Sequence, residues 1–330
     1  MELRLMSDFS ICSFNVENLF LPPYSDEASY TLYKYEKSKD KVERLAKAIL
    51  DIDSDIYFLC EVGGEDSLKN FVSEYLNDNY HYSLIPGNSE RGIELAYLVK
   101  KGSPFSFKHF THKRRPLNFN YPHEEKENKY QMSMGKKRVY KSHLPSRDIA
   151  ELRIFKDDET KPFLILLGVH LKSQLDKDGI DFGGKLRRAA EFKQLIETYN
   201  VLNKRYHNKV PILLLGDFNG KACKEETDIE FKTLYETTDL EDVLEVIEEP
   251  KEARISIHIF DKQGVDQGHQ LDYIFIPKSL HSQINAKLSG LYNYKNEEGA
   301  PYPRPTSLYE RYQLPSDHFP IVCTIKNFPN

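Results

Sequence analysis

Polar residues of a few chemically suggestive types stand at the ends of short apolar runs in this sequence. Asn15 and Glu17 follow the run 9–14, Glu61 follows 56–60, His170 and Lys172 end 163–169, and Asp217 and Asn219 end 212–215. Two more groups precede their runs: Asp272 comes before 273–276, and Asp317 and His318 come before 319–325. Hard carboxylate oxygens such as Glu61, with amides and water, suit Mg²⁺ or Mn²⁺. An unperturbed imidazole titrates near neutrality, which makes His170 and His318 acid–base candidates. A metal that polarises a phosphoryl oxygen, beside an acid–base pair serving the attacking water and the leaving oxygen, makes a phosphodiesterase. Any one of these residues alone reads as an ordinary strand end turning into water. Their recurrence at run after run carries the inference.

The elements that must position these groups are strands. The runs are strand-length and mostly rich in β-branched or aromatic residues, and their near-continuous apolar character predicts sheets covered on both faces. Asn15/Glu17, His170/Lys172 and Asp217/Asn219 are each spaced by two, so each pair faces one side of an extended segment. If the last two strands run antiparallel to the rest, their starts lie beside the other strands' ends and every group converges on one edge. Helical spacing marks 41–50 and 186–199, with 67–76 a third candidate. Strands and helices in this mix imply a layered α/β or α+β domain. No internal repeat or low-complexity linker divides the chain, so one domain over 1–330 is expected. The stretch 104–147 reads as a basic insertion, carrying Lys113-Arg114-Arg115 and Lys136-Lys137-Arg138 among Phe119, Tyr121, Tyr130 and Tyr140. The stretch 293–315, rich in proline and tyrosine, reads as a second long loop.

Composition narrows the field. A formal net charge of -5 and a pI near 6.2 exclude a globally basic nucleic-acid binder, though not a local basic groove. The cysteines Cys12, Cys60, Cys223 and Cys323 show no metal-ligand or redox spacing. Met1-Glu2-Leu3-Arg4 opens no signal-peptide h-region, and no run reaches membrane-spanning length. A cytoplasmic protein without a membrane anchor is expected, and nothing implies a protein partner.

Taken together, Phe14-Asn15, Glu61, Gly216-Asp217-Phe218-Asn219 and Ser316-Asp317-His318, in that order, resemble the motifs of the endonuclease/exonuclease/phosphatase superfamily, the DNase I-like fold. The resemblance implies a four-layer α/β sandwich: two mixed β-sheets packed face to face, flanked by helices. It also implies roles. Glu61 becomes the principal metal ligand, with Asn15 nearby and Asp317 able to join the shell. Asp217 orients or deprotonates the attacking water, Asn219 holds that water or the transition-state oxygens, and His318, oriented by Asp272, acts as base or phosphate-binding group. His170 stabilises the phosphate or protonates the leaving group. Asn15-Val16-Glu17-Asn18-Leu19-Phe20, His170-Leu171-Lys172-Ser173 and Leu186-Arg187-Arg188 are similar to bacterial nuclease-like members. This assigns Glu17, Arg91, Lys172 and Arg187 or Arg188 to substrate phosphate.

A nuclease cleaving DNA or RNA is the leading reading, because cations contact a phosphate backbone and tyrosines stack on bases. The alternative is a phosphatase or phosphodiesterase for a lipid headgroup, inositol phosphate or small nucleotide. The 5-phosphatase motif with its tryptophan is missing, since the chain has Gln270-Leu271-Asp272-Tyr273 and no tryptophan. Exonuclease III-type AP endonucleases place tyrosine where His170 stands. A sphingomyelinase reading lacks an obvious apolar docking segment. A binding module that lost its chemistry is a third reading, opposed by the retention of every matched polar group.

Overall fold

The computed structural model describes residues 8–24, 36–137, 142–156, 160–176 and 178–328. Met1 to Arg4, and Arg138 and Tyr140 of the basic stretch, lie outside them. The strands, in chain order, are β1 Phe9–Leu19, β2 Ile56–Val62, β3 Tyr80–Leu84, β4 Glu94–Lys100, β5 Phe105–Thr111, β6 Ile149–Lys156 and β7 Leu164–His170. They continue with β8 Ile212–Asp217, β9 Leu240–Asp242, β10 Ile257–Phe260, β11 Asp266–His269, β12 Asp272–Pro277, β13 Gly290–Leu291 and β14 Ile321–Ile325. The α-helices are α1 Lys39–Ile52, α2 Glu65–Tyr75, α3 Pro122–Ser133, α4 Lys185–Arg205, α5 Lys232–Thr237, α6 Val243–Val246 and α7 Leu308–Tyr312.

Two six-stranded mixed sheets, ordered β13-β14-β1-β2-β4-β3 and β5-β6-β7-β8-β12-β9, carry the fold, and β10 and β11 form a separate hairpin. Each sheet has one parallel pair at its centre, β1–β2 and β7–β8. The late strands reverse direction as expected: β14 runs antiparallel to β1, and β12 antiparallel to β8. One apolar core fills the space between the sheets, drawing Ile11, Phe58 and Tyr97 from the first and Leu152, Leu166, Leu215 and Ile274 from the second. The outer face of the first sheet is covered by α1 and α2 through Leu45, Ile49, Leu68 and Phe71. That of the second is covered by α4 through Phe192, Leu195 and Tyr199. The order helix, sheet, sheet, helix is the four-layer sandwich. Among the described residues no helix is long and apolar enough to cross a membrane.

The stretch 104–147 differs from its reading as an insertion in its first residues. Phe105-Ser106-Phe107-Lys108-His109-Phe110-Thr111 is β5, an edge strand paired along its whole length with β6. From Phe105 to Lys108 its apolar and polar residues alternate as one face meets the core and the other meets water, whereas further on His109 turns inward and Phe110 is exposed. The remainder carries α3, whose start is closed by a capping box between Tyr121 and Glu124.

The sheets approach most closely where glycine permits it. A Cβ on Gly168 would lie 2.2 Å from the ring of Phe58 in the opposite sheet. One on Gly216, whose φ is +130°, would lie 1.9 Å from the carbonyl oxygen of Val169. Gly216→Ala therefore forces backbone apart and imposes a disfavoured conformation. We expect it to lower unfolding free energy by about 2–4 kcal/mol, read from urea melts followed by circular dichroism.

Candidate active site

Strand register brings three of the expected groups into a row. His170 ends β7 directly beside Asp217 at the end of β8. Asp217 in turn pairs with Asp272 at the start of β12. Side chains of residues directly opposite in a sheet project to the same face. The first sheet supplies Asn15 from β1 and Glu61 from β2, at places where the ladders slip: β1 between Asn15 and Leu19, β2 between Leu59 and Val62. Such bulges re-aim side chains. Backbone strain concentrates there, since Glu17, Asn18 and Glu61 have φ of 49°, 51° and 67°, and Asn219 across the site has 52°. Non-glycine residues hold this region only where surrounding structure compels them.

Hydrogen bonds knit the two sheets together at this edge. The Asn15 amide donates to Asp217 Oδ2 at 3.1 Å, and the Ser316 hydroxyl donates to the Asn15 carbonyl at 2.7 Å. The Asn18 N–H donates to Glu61 Oε2 at 3.1 Å. The Asn219 N–H donates to Asp217 Oδ1 at 2.9 Å, while its side chain donates to the Leu171 carbonyl. His318 Nδ1 lies 2.7 Å from Asp272 Oδ2, and the same oxygen accepts from Ser256 at 2.7 Å. His318 Nε2 then lies 3.9 Å from Asp217 Oδ2 and 4.0 Å from Asp317 Oδ1. His170 Nε2 lies 3.4 Å from Asp217 Oδ2 and 3.9 Å from Glu61 Oε1. Asn15, Glu61, His170, Asp217, Asn219, Asp272, Asp317 and His318 are thus gathered at one place.

Their charge states are pushed apart. For His318, burial alone would lower the pKa, but the Asp272 carboxylate, with Asp317 and Asp217 behind it, outweighs burial and raises it well above the usual imidazole value. For His170, burial, together with the nearby Arg147, His318 and Arg91, lowers it, so this imidazole is neutral at pH 7. Asp217 is raised to about 7, first by burial and then by the facing Asp272, despite the countering His318. The row therefore holds a cationic imidazole, a neutral imidazole and a carboxyl poised near neutrality, the kind of separation that assigns acid and base roles.

The donor set suits a hard cation. Glu61 Oε2 takes the Asn18 N–H while the partly exposed Glu61 side chain keeps Oε1 facing the edge. The Asn15 Oδ1 accepts the Glu17 N–H at 3.1 Å, and the partly exposed Asp317 carboxylate lies 4.0 Å from His318 Nε2. One donor atom each from Asp217, Asp272 and His318 also lie within 4.8 Å of one another, but Asp272 and His318 are already bonded to each other. Two buried atoms, His170 Nδ1 and Asp272 Oδ1, have no protein partner. Buried polar atoms of this kind ordinarily find water or ligand.

The residues expected to hold substrate phosphate are placed unevenly. Arg91 reaches the rim, exposed, and donates to Asn18 Oδ1 at 2.8 Å. The Lys172 ammonium donates to the carbonyls of Ser173 and Leu175. Arg187 donates to the Leu144 carbonyl. Arg188 departs from expectation: it is 1% exposed, and its guanidinium is taken up by Glu230 and by the Lys172 and Gly183 carbonyls. Glu17 departs too, pairing with Lys41 at 2.9 Å and Lys37 at 3.3 Å. Sequence reasoning gave no role to Ser256, to Ser316 of the Ser316-Asp317-His318 motif, or above all to Arg147. The buried Arg147 guanidinium donates to the His170 and Leu171 carbonyls, behind the row.

No family model and no curated protein sequence matches this chain. Solved structures do. TDP2 from D. rerio, complexed with a single-strand DNA product, superposes with a TM-score of 0.58 at 16% identity, covering 96% of this chain and 98% of that one. The human Nocturnin catalytic domain with bound sulfate gives 0.58 at 14% identity, over 98% and 94%. A Bacteroides thetaiotaomicron mannosyl-6-phosphatase gives 0.55 at 17% identity, over 96% and 99%. The architecture is the DNase I-like fold that these structures share.

The charge assignment is checkable in solution. The His318 ring proton resonances should titrate with a midpoint well above the usual value of about 6.5, and Asp272→Asn should bring that midpoint down. Because the folded value is raised, the pair's contribution to stability is complete below the ordinary imidazole pKa and fades as pH rises through the raised one. Asp272→Asn should therefore destabilise more at pH 6 than at pH 9. A His318 midpoint unmoved by the substitution would refute the assignment.

Proposed function

We propose that this chain is a divalent-metal-dependent hydrolase of phosphodiesters, with nucleic acid as substrate. The observation that carries the reading is the meeting, at one edge, of a partly exposed hard-oxygen donor, Glu61, with His318 held cationic by Asp272 and with Asp217 raised toward neutrality.

Mg²⁺ or Mn²⁺, held by Glu61 with Asn15 and Asp317, would polarise a phosphoryl oxygen and neutralise developing charge. The chain's own groups do the rest. Asp217, fixed on both oxygens by Asn15 and the Asn219 N–H, orients the attacking water and is matched in pKa to accept its proton near pH 7. His318 presents Nε2 as a charge-assisted donor to a phosphoryl oxygen, its other nitrogen anchored to Asp272. His170, neutral, serves as a hydrogen-bond donor to the transition-state oxygens rather than as a strong acid. Asn219 steadies the water or those same oxygens. Arg91 and Lys172 are the rim cations suited to flanking phosphates.

Nucleic acid is preferred because the rim cations and the aromatic, basic stretch suit a polyanion, and because TDP2, of the same fold, has been captured with a DNA product. Phosphomonoester hydrolysis is the second reading, favoured by the mannosyl-6-phosphatase of that fold.

Purified protein with Mg²⁺ or Mn²⁺ should hydrolyse bis-p-nitrophenyl phosphate, and EDTA should abolish the activity. Asp217→Asn and His318→Ala should each lower kcat by about 10³-fold or more, with circular dichroism unchanged. Full turnover in metal-free buffer would sink the metal requirement. Activity confined to monoesters across a panel of DNA, RNA and sugar phosphates would replace the first reading with the second.

A further inference from the structure

Exposed aromatic side chains stand on two elements that are tied by hydrogen bonds to the catalytic row. After β7 the chain turns out from His170 and Lys172 into a segment that returns at α4. Within it Phe182 is 91% exposed, more than any other large hydrophobic side chain among the described residues, and Leu175 is 65% exposed. The segment is held in shape. The Asp176 carboxylate accepts the Ile180 and Asp181 N–H groups, both at 3.1 Å. The Asp181 carboxylate accepts those of Leu186 and Arg187 at 2.9 and 3.0 Å. Gly184 packs so tightly on Ser173 that a Cβ would lie 2.2 Å from its carbonyl oxygen. The Gln174 amide reaches the Asn219 carbonyl at 3.3 Å, tying the segment to the catalytic turn. Phe182 thus sits on a turn tied by these contacts to Ser173 and to the catalytic turn at Asn219.

The second element is α7, with Tyr309 73% and Tyr312 52% exposed. It is also anchored. Arg311 donates to the His258 carbonyl at 2.9 Å, and β10, which carries His258, bridges directly to His318 through Ile257. The row itself crosses β7, β8 and β12, two interstrand spacings or about 10 Å.

We propose that Phe182 on one side and Tyr309 and Tyr312 on the other are stacking platforms for unpaired bases, so that the substrate is single-stranded nucleic acid lying across the row. This rests on the nuclease reading above and deepens it. Base–aromatic stacking is tolerant of sequence, and unpaired bases offer faces that a duplex interior does not. A lipid surface fits less well, because the exposed Asp178 shares the turn with Phe182 and would be driven into the headgroups with it.

The test compares wild type with Phe182→Ala, Phe182→Trp, and the double variant Tyr309→Ala/Tyr312→Ala, on a short single-stranded DNA oligonucleotide, its duplex, and base-free bis-p-nitrophenyl phosphate. Removing either platform should raise KM for the single strand about tenfold with kcat little changed. Phe182→Trp should restore it, and turnover of bis-p-nitrophenyl phosphate should stay at the wild-type level. Equal KM for Phe182→Ala and wild type on the single strand would overturn the stacking role alone. A parallel loss on the base-free substrate would do the same, because the loop would then be supporting the site itself. Phe182-dependent sedimentation with phosphatidylserine vesicles, without an effect on the oligonucleotide, would replace it with membrane docking. A wild-type protein that turns over bis-p-nitrophenyl phosphate but no nucleic acid would overturn the nuclease reading, and this proposal with it.

Discussion

The ring of Phe58 seated in the hollow made by Gly168 and Gly216 is the constraint from which the rest of the site follows. It belongs to β2 of one sheet, and the glycines belong to β7 and β8 of the other. Phe58 lies three residues before Glu61, and the glycines lie two and one before His170 and Asp217. Once the ring is in place, the strand ends beyond it have little freedom to separate. The neighbouring thiol of Cys60, 3.6 Å from the Val169 carbonyl, and the Asn15–Asp217 hydrogen bond close the same seam further out. Sheet packing, an apolar event, thereby sets the distance between the Glu61 carboxylate on one sheet and His170 and Asp217 on the other.

The polar seam is costly in isolation and is held by what surrounds it. Asp217 and Asp272 are buried face to face, a repulsive arrangement that His318 between them relieves. Four residues around the edge hold left-handed backbone, and the bulges of β1 and β2 spread that strain over two strands. Arg147 places a buried cation behind the row, close enough to help keep His170 neutral.

Most of the framework was legible because apolar runs and the polar groups at their ends are local signals. The reversal of the late strands could be inferred from Asp272 and Asp317-His318 preceding their runs rather than following them, and β12 and β14 run as that required. What sequence reading missed was set by partners far along the chain. Glu17 meets Lys37 and Lys41, twenty and twenty-four residues on. Arg188 meets Glu230, forty-two residues away. One signal for Arg188 was available: it shares a helical face with Phe192 and Leu195, four and seven residues on, which directs it inward. β5 was hidden by its half-polar alternation, the mark of an edge strand, within a stretch otherwise basic enough to read as loop. Arg147 had no local signal at all, since its role depends on where the ends of β7 and β8 arrive.

We propose that Glu61, rather than the Asp217–Asp272–His318 cluster, is the seat of the cation. Anomalous scattering from crystals soaked in Mn²⁺ separates the two directly. The expected map has its strongest peak against the Glu61 carboxylate, on the side of Asn15 and Asp317, and loses it in Glu61→Gln. A peak seated among Asp217, Asp272 and His318, or one that survives Glu61→Gln unchanged, would contradict the assignment.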